Sequence, residues 1–343
     1  MAPPAQNVSH RLTVASSLTS PTPQLSCPPP FQLPGPATMR VAFGTVDGLR
    51  IRYAESEGPA ERTILLTNPW PESLYAFRPI WRQLARRFRL FAIDLPGFGA
   101  SECRQSLLSP RAMGGFLARA IDELELGRPH LVAPDIGCAA ALFAAATAPT
   151  SVASLAVGTG PVAVPANLGR LPRDGTSEPE FASHHGCDVA AIIGAVLESS
   201  AGYVSNPVRE DYLRSYAGGR FLESMRYLRR LPLEWPELAD LLPELAVSVL
   251  VFSGSRERPV PPANLESLAA RLPRSRQAII GAGHFVWEEA PDAFSEMISD
   301  WVSEGHRSAA GSRSSGERGG VAGSGGGHDA SALPAAGTQL AGS

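Results

Sequence analysis

Between about residues 41 and 304 the chain alternates short apolar runs with longer stretches of helical periodicity, and that rhythm breaks only once. Thr63–Thr67, Phe88–Asp94, His130–Ala133, Val152–Gly158, Val247–Ser253 and Gln277–Ile280 have the length and composition of buried strands. Between them, Phe77–Arg87, Ser109–Leu126 and Ile136–Ala146 are helical in pattern, with Ser109 and Pro110 placed as N-cap and first helical residue. A helix between two strands carries the chain back to the edge where it started, so the strands run parallel and helices cover both faces of the sheet. Val41–Val46 and Leu49–Tyr53, joined at Asp47-Gly48, form a hairpin in front of this unit. From about Pro161 to Ala246 there are helical patterns and many prolines but no convincing strand. Helices inserted between two strands of such a sheet lie over the strand ends, where ligands bind in open α/β folds, so a lid is expected there.

The ends of the chain differ from its body. Residues 1–38 are rich in Pro, Ser and Thr, and residues 307–343 in Gly, Ser and Ala; neither composition can bury a core, and both are expected to be disordered. This leaves a core at 39–160 and 246–306, with a helical cap at 161–245. A formal net charge of -3 gives no electrostatic reason to expect a nucleic acid or an anionic membrane as partner. The four cysteines form no CxxC pair and no disulfide framework. No apolar run approaches the ~18 residues of a membrane span. The N-terminus has no basic start followed by a continuous apolar stretch, so a cytoplasmic protein is expected. His184-His185 has only Cys187 and Asp188 nearby at ligand spacing, so neither metal nor cofactor is expected.

The chemistry-bearing signal is His130-Leu131-Val132-Ala133-Pro134-Asp135-Ile136-Gly137-Cys138-Ala139-Ala140. A strand runs into a tight turn with one polar side chain and leaves it as a helix of small residues. This is the pattern of an elbow in which small neighbours permit a strained backbone. An aspartate at its apex can attack an sp3 carbon and form an alkyl-enzyme ester; the same aspartate is also what a helix N-cap requires. Two features add to it. His284 lies in the Gly-rich turn Gly281-Ala282-Gly283-His284 after the last strand, and Glu257 follows the strand before, where an acid can orient an imidazole. Taken singly, His284 could be structural, and Glu257 could pair with Arg256 or Arg258.

With these residues the chain resembles the α/β-hydrolase superfamily from roughly Val41 to Glu304, in particular its epoxide hydrolase and haloalkane dehalogenase branch. Trp70-Pro71-Glu72-Ser73-Leu74-Tyr75-Ala76-Phe77-Arg78 is similar to the epoxide hydrolase motif after the third strand, and Asp94-Leu95-Pro96-Gly97-Phe98-Gly99-Ala100-Ser101 matches the D-x-x-G-x-G-x-S turn. The resemblance implies a mostly parallel eight-stranded sheet with an inserted helical lid. It also implies a cofactor-independent hydrolase acting on a small apolar organic substrate. Asp135 would then be the nucleophile, and His284 oriented by Glu257 the base. Trp70 and Ile136 would supply oxyanion N–H groups, and Tyr227, in Phe221-Leu222-Glu223-Ser224-Met225-Arg226-Tyr227, the acid. Asn68, Tyr203 and Phe285 are expected to line the pocket, and Tyr212 and Tyr216 are further tyrosines of the lid.

Some positions depart from that pattern. Asn68-Pro69 stands where His-Gly is usual, and proline brings no N–H to the turn. Ile136 takes the place of a tryptophan that donates to a leaving halide, although the Trp70 indole could substitute. Glu257 replaces the commoner aspartate, and Pro134 before the apex is unusual. Epoxide hydrolysis is therefore the first reading. A haloalkane or haloacid dehalogenase with the same nucleophile, and a non-hydrolytic binding or tailoring protein on the same fold, remain as alternatives.

Overall fold

The computed structural model describes residues 39–59, 62–162, 189–200 and 205–307. The expected terminal disorder, His184-His185 and Tyr203 lie outside them. Eight strands form one sheet: β1 Arg40–Val46, β2 Leu49–Glu55, β3 Thr63–Thr67, β4 Arg89–Ile93, β5 His130–Pro134, β6 Ser154–Gly158, β7 Val249–Gly254 and β8 Ser275–Ile280. They lie in the order β1-β2-β4-β3-β5-β6-β7-β8. The β1–β2 hairpin and its junction with β4 are antiparallel, and every later pairing is parallel, as the strand–helix alternation requires. The exchange of β3 and β4 is set by packing and is not visible in the chain order.

Nine helices accompany the strands among the described residues: α1 Arg78–Ala85, α2 Pro110–Glu123, α3 Gly137–Thr147, α4 Val189–Ser200, α5 Asn206–Ser215, α6 Arg220–Leu241, α7 Pro262–Arg271, α8 Val286–Glu289 and α9 Pro291–Asp300. Ser109 caps α2, its side chain accepting from the Ala112 N–H, with Pro110 in the first turn. Every residue of β3, β5, β6 and β7 is buried, which explains why these strands are continuous apolar runs rather than alternating ones. β8, at the edge, starts at Ser275 rather than Gln277, because exposed edge positions carry the polar residues Arg276 and Gln277 and hide from a hydrophobicity pattern. Likewise α3 begins at Gly137, one residue after the apolar pattern does. That helix is apolar on all sides because it is buried on all sides. A Cβ at Gly114 of α2 would come within 2.9 Å of the Ala140 carbonyl, so glycine there sets how closely the two helices pack.

Between β6 and β7 the described residues form α4, α5 and α6 and no strand. Buried polar groups fasten them to the sheet. Arg52 of β2 pairs with Asp94 at the end of β4 and holds Asp211 of α5 by two bonds, at 2.7 and 2.9 Å. Ser73 donates to the same Asp211 at 2.6 Å. Arg220 at the start of α6 donates to the carbonyls of Phe98, Gly99 and Ser101, and Glu234 accepts from the Arg111 N–H at the start of α2.

Candidate active site

Asp135 is reached one residue after β5 ends and has φ 49°, a left-handed conformation that costs a non-glycine residue on the order of 1 kcal/mol or more. The neighbours that permit it are small. A Cβ at Gly137 would strike the Thr67 hydroxyl, and one at Gly160 the Asp135 carbonyl and the Cys138 side chain. The backbone of the apex is tied down by Asp135 N–H to Gly158 O at 2.9 Å and Cys138 N–H to Asp135 O at 3.1 Å. The carboxylate is thus presented where the parallel strands end.

Two backbone donors converge on it. The Trp70 N–H reaches Oδ2 at 2.6 Å, and the Ile136 N–H also bonds the carboxylate. Pro69 removes no donor that the site uses, because the turn aims the Trp70 N–H. The altered Asn68 is an internal brace: its Oδ1 accepts from the Leu95 N–H at 2.8 Å and its Nδ2 donates to Pro69 O at 3.0 Å, with no exposed surface left. Asn68 was expected to line a pocket; here it joins the ends of β3 and β4.

His284 and Glu257 meet Asp135 from the other side. Nδ1 of His284 lies 2.9 Å from both Glu257 oxygens, and Nε2 lies 3.9 Å from Asp135 Oδ1. Glu257 is held in turn by the Val260 N–H at 3.1 Å, so the longer acid is accommodated by its own loop. Nδ1 therefore carries the proton that Glu257 accepts, and Nε2 faces Asp135 Oδ1 across a gap too long for a direct hydrogen bond. Phe285, expected in the pocket, is fully buried and stands edge-on to the imidazole with ring centroids 4.9 Å apart.

Burial pushes the Asp135 carboxyl up to about 6, against the opposing pull of His284 and of the Trp70 and Ile136 N–H groups. For His284, burial works to lower the imidazole, but the Glu257 hydrogen bond and charge, with Asp135, outweigh it and leave the pKa raised. Burial thus disfavours the ionised Asp135 carboxylate, while its acidic neighbours favour the His284 imidazolium.

The tyrosines of the inserted helices and the Trp70 indole are placed less simply. Tyr227 is fully buried and donates to the Ile136 carbonyl at 2.8 Å, bracing the elbow from behind. Tyr216 donates to the Glu72 carbonyl at a long 3.3 Å and stands edge-on to Trp70 with ring centroids 6.2 Å apart. Tyr212 donates to Glu288 at 3.0 Å. The Trp70 indole N–H is committed to Ser224 Oγ at 3.1 Å, so it does not replace the donor that Ile136 lacks. Sequence reasoning passed over Arg52, Asp211, Ser224, Glu72 and Glu288. Their signal, charge and polarity in otherwise apolar segments, resembles a surface pattern until the segments are packed.

The sequence pattern of the alpha/beta hydrolase fold family matches residues 62–291. The chain belongs to the alpha/beta hydrolase fold family. Among relatives of this hydrolase, the dihydrolipoyllysine-residue acetyltransferase component of the acetoin cleaving system of Cupriavidus necator is 28% identical over 262 residues, 75% of this chain and 67% of that protein. The uncharacterized hydrolase YugF of Bacillus subtilis is 25% identical over 278 residues, 75% of this chain and 96% of that protein. In three dimensions, epoxide hydrolase VrEH1 from Vigna radiata superposes with a TM-score of 0.65 at 19% identity, covering 77% of this chain and 97% of its own, which is a likeness of fold. No helix among the described residues of the hydrolase is long and apolar enough to cross a membrane.

Proposed function

We propose that this hydrolase opens a small apolar epoxide through a covalent ester on Asp135. The observation that carries the reading is the division of labour within one carboxylate: Oδ2 is gripped by the Trp70 N–H at 2.6 Å, while Oδ1 is turned toward His284 Nε2 at 3.9 Å. Oδ1 attacks the less hindered ring carbon in line with the breaking C–O bond. The departing alkoxide takes a proton from a tyrosine of the inserted helices. Tyr216 fits that role better than Tyr227. Its hydroxyl bond is well beyond the usual O–H···O length of about 2.8 Å, whereas Tyr227 is spent on the Ile136 carbonyl. His284, its charged form stabilised by Glu257, then takes a proton from water, and the hydroxide adds to Asp135 Cγ. The oxyanion forms on Oδ2, where the Trp70 N–H already points, with the Ile136 N–H beside the same carboxyl. Collapse releases the diol, whose oxygen receives the proton from His284, and the proton left on the regenerated Asp135 carboxyl returns to the tyrosinate. A 3.9 Å gap between Nε2 and Oδ1 leaves the base within reach of an attacking water.

Halide as leaving group has less support, because Ile136 offers no side-chain donor and the Trp70 indole is bound to Ser224. The test is single-turnover hydrolysis of an aryl-substituted epoxide in 18O-labelled water, followed by mass spectrometry of the peptide containing residue 135. Label is expected in Asp135; unlabelled peptide after demonstrated turnover removes the covalent mechanism. Halide release from haloalkanes without any epoxide hydrolysis would transfer the reading to dehalogenation.

A further inference from the structure

Behind the oxyanion loop lies a pair of carboxyl groups that the mechanism above does not use. Glu72, two residues after Trp70, is fully buried; its Oε2 accepts the Trp287 indole N–H at 2.9 Å. Glu288, at the end of the turn that carries His284, accepts the Tyr212 hydroxyl on Oε1 at 3.0 Å. The remaining oxygens, Glu72 Oε1 and Glu288 Oε2, are buried and have no donor. The two side chains lie within hydrogen-bonding reach of one another. Two ionised carboxylates are acceptors only and repel, so this contact exists only with a proton between them.

The groups facing the pair reinforce that requirement. From β5 and its turn comes Asp135, from α8 Glu289 and the Trp287 N–H, and from α5 Tyr212 and Asp211. All the ionisable ones are acids or phenols. The nearby guanidinium groups are engaged elsewhere, Arg52 with Asp94 and Asp211, and Arg256 with Glu289 at 3.7 Å. The leading charges acting on the pair are negative, and a proton between the two carboxyls relieves them.

We infer that Glu72 and Glu288 share one proton at and above neutral pH, and that the pair is a latch joining three segments of the site. Those segments are the Trp70 loop through Glu72, the His284 turn through Glu288 and Trp287, and α5 through Tyr212. Glu72 is thereby a positioning residue: it touches no reacting atom and acts through Trp70 and the His284 turn. Burial raises the Glu72 pKa well above the usual range and pushes Glu288 up to about 7. Below about 7 both carboxyls are neutral; above it Glu288 ionises and receives the Glu72 proton in a charge-assisted bond. The inference does not depend on which substrate Asp135 attacks.

Infrared spectroscopy of the full chain at about pH 8, a unit above the Glu288 midpoint, tests it without any substrate. The wild type is expected to show the C=O stretch of a buried carboxylic acid, and Glu72→Gln to lose it. The amide of Glu72→Gln can still donate to Glu288 and accept from Trp287, so this variant should unfold close to the wild-type temperature, while Glu72→Ala unfolds well below it. Where Glu72→Gln does not fold, Glu288→Gln gives an independent reading, since exchanging the carboxylate partner for an amide shifts or abolishes the same band. Absence of a carboxylic-acid band in the wild type, or a band that neither glutamine substitution changes, overturns the shared proton. Equal stability of Glu72→Gln and Glu72→Ala overturns the latch.

Discussion

Replacing His284 with glutamine separates the two chemical steps of the proposed reaction. The attack of Asp135 on carbon uses no base, whereas hydrolysis of the resulting ester does. A general base contributes about 10²- to 10⁴-fold, or roughly 3 to 5 kcal/mol of barrier, and that loss falls entirely on the second step. Glutamine suits the site because its amide N–H₂ can turn toward Glu257, which lies 2.9 Å from Nδ1 in the wild type, and keep that buried carboxylate partnered. His284 also helps to hold the Asp135 carboxyl down at about 6, so its removal moves that group upward. The measurement belongs near pH 8, where Asp135 stays ionised in the variant. After mixing with excess aryl-substituted epoxide, intact-protein mass spectrometry should show an adduct of one substrate mass on nearly every chain. Steady-state turnover should fall by two to four orders of magnitude. A natively folded variant that forms no adduct would place His284 in the first step. Unchanged turnover would remove it from the mechanism.

The pH dependence of the first step has a definite sign. Attack needs ionised Asp135, whose pKa is raised to about 6, so the rate of adduct formation in single-turnover wild type should fall on acidification through that value, and in His284→Gln through a higher one. A profile flat down to the ordinary aspartate range would contradict the burial argument. Tyr216→Phe should reduce ring opening by about 10²-fold or more. Tyr227→Phe should instead cost about 1 kcal/mol of stability with less than about a tenfold change in kcat/KM, and the reverse pattern would return the acid role to Tyr227. Arg52→Met leaves Asp94 and Asp211 buried without their cation and should lower unfolding stability by about 3 to 5 kcal/mol in urea titration, with part recovered in Arg52→Met/Asp211→Asn.

How far the sequence discloses this molecule depends on whether a feature is local. Strand–helix alternation, the Ser109–Pro110 start and the strandless stretch after β6 are consequences of burial and capping within short windows, and the fold follows them. The elbow was legible for the same reason: Ala133, Gly137 and Asp135 are two residues apart, and their sizes report one strained turn. His284 and Glu257 could be nominated because each follows a strand. Long-range placement was not legible. Whether the Tyr227 hydroxyl faces a ligand or the Ile136 carbonyl is decided by how α6 lies on the elbow, across 91 residues of sequence. Asn68 looked like a pocket residue because it precedes Trp70, but the crossing of β3 and β4 gives it the Leu95 N–H instead. Glu72 and Glu288 lie 216 positions apart, each plausible as a surface charge until the fold brings both inside.

The grip of the Trp70 and Ile136 N–H groups on Asp135 bears on what the protein refuses. These two donors form a place beside the apex where a carbonyl oxygen could be polarised, and a side-chain oxygen already sits there. An incoming ester or amide would have to evict a hydrogen-bonded carboxylate before its own carbonyl could be activated, and would then face a negative charge beside its reacting carbon. Competition for one seat thus discriminates between chemistries without any contact to the remainder of the substrate. Under the proposed reaction, selectivity for attack at saturated carbon is set at the elbow itself, whatever the inserted helices admit.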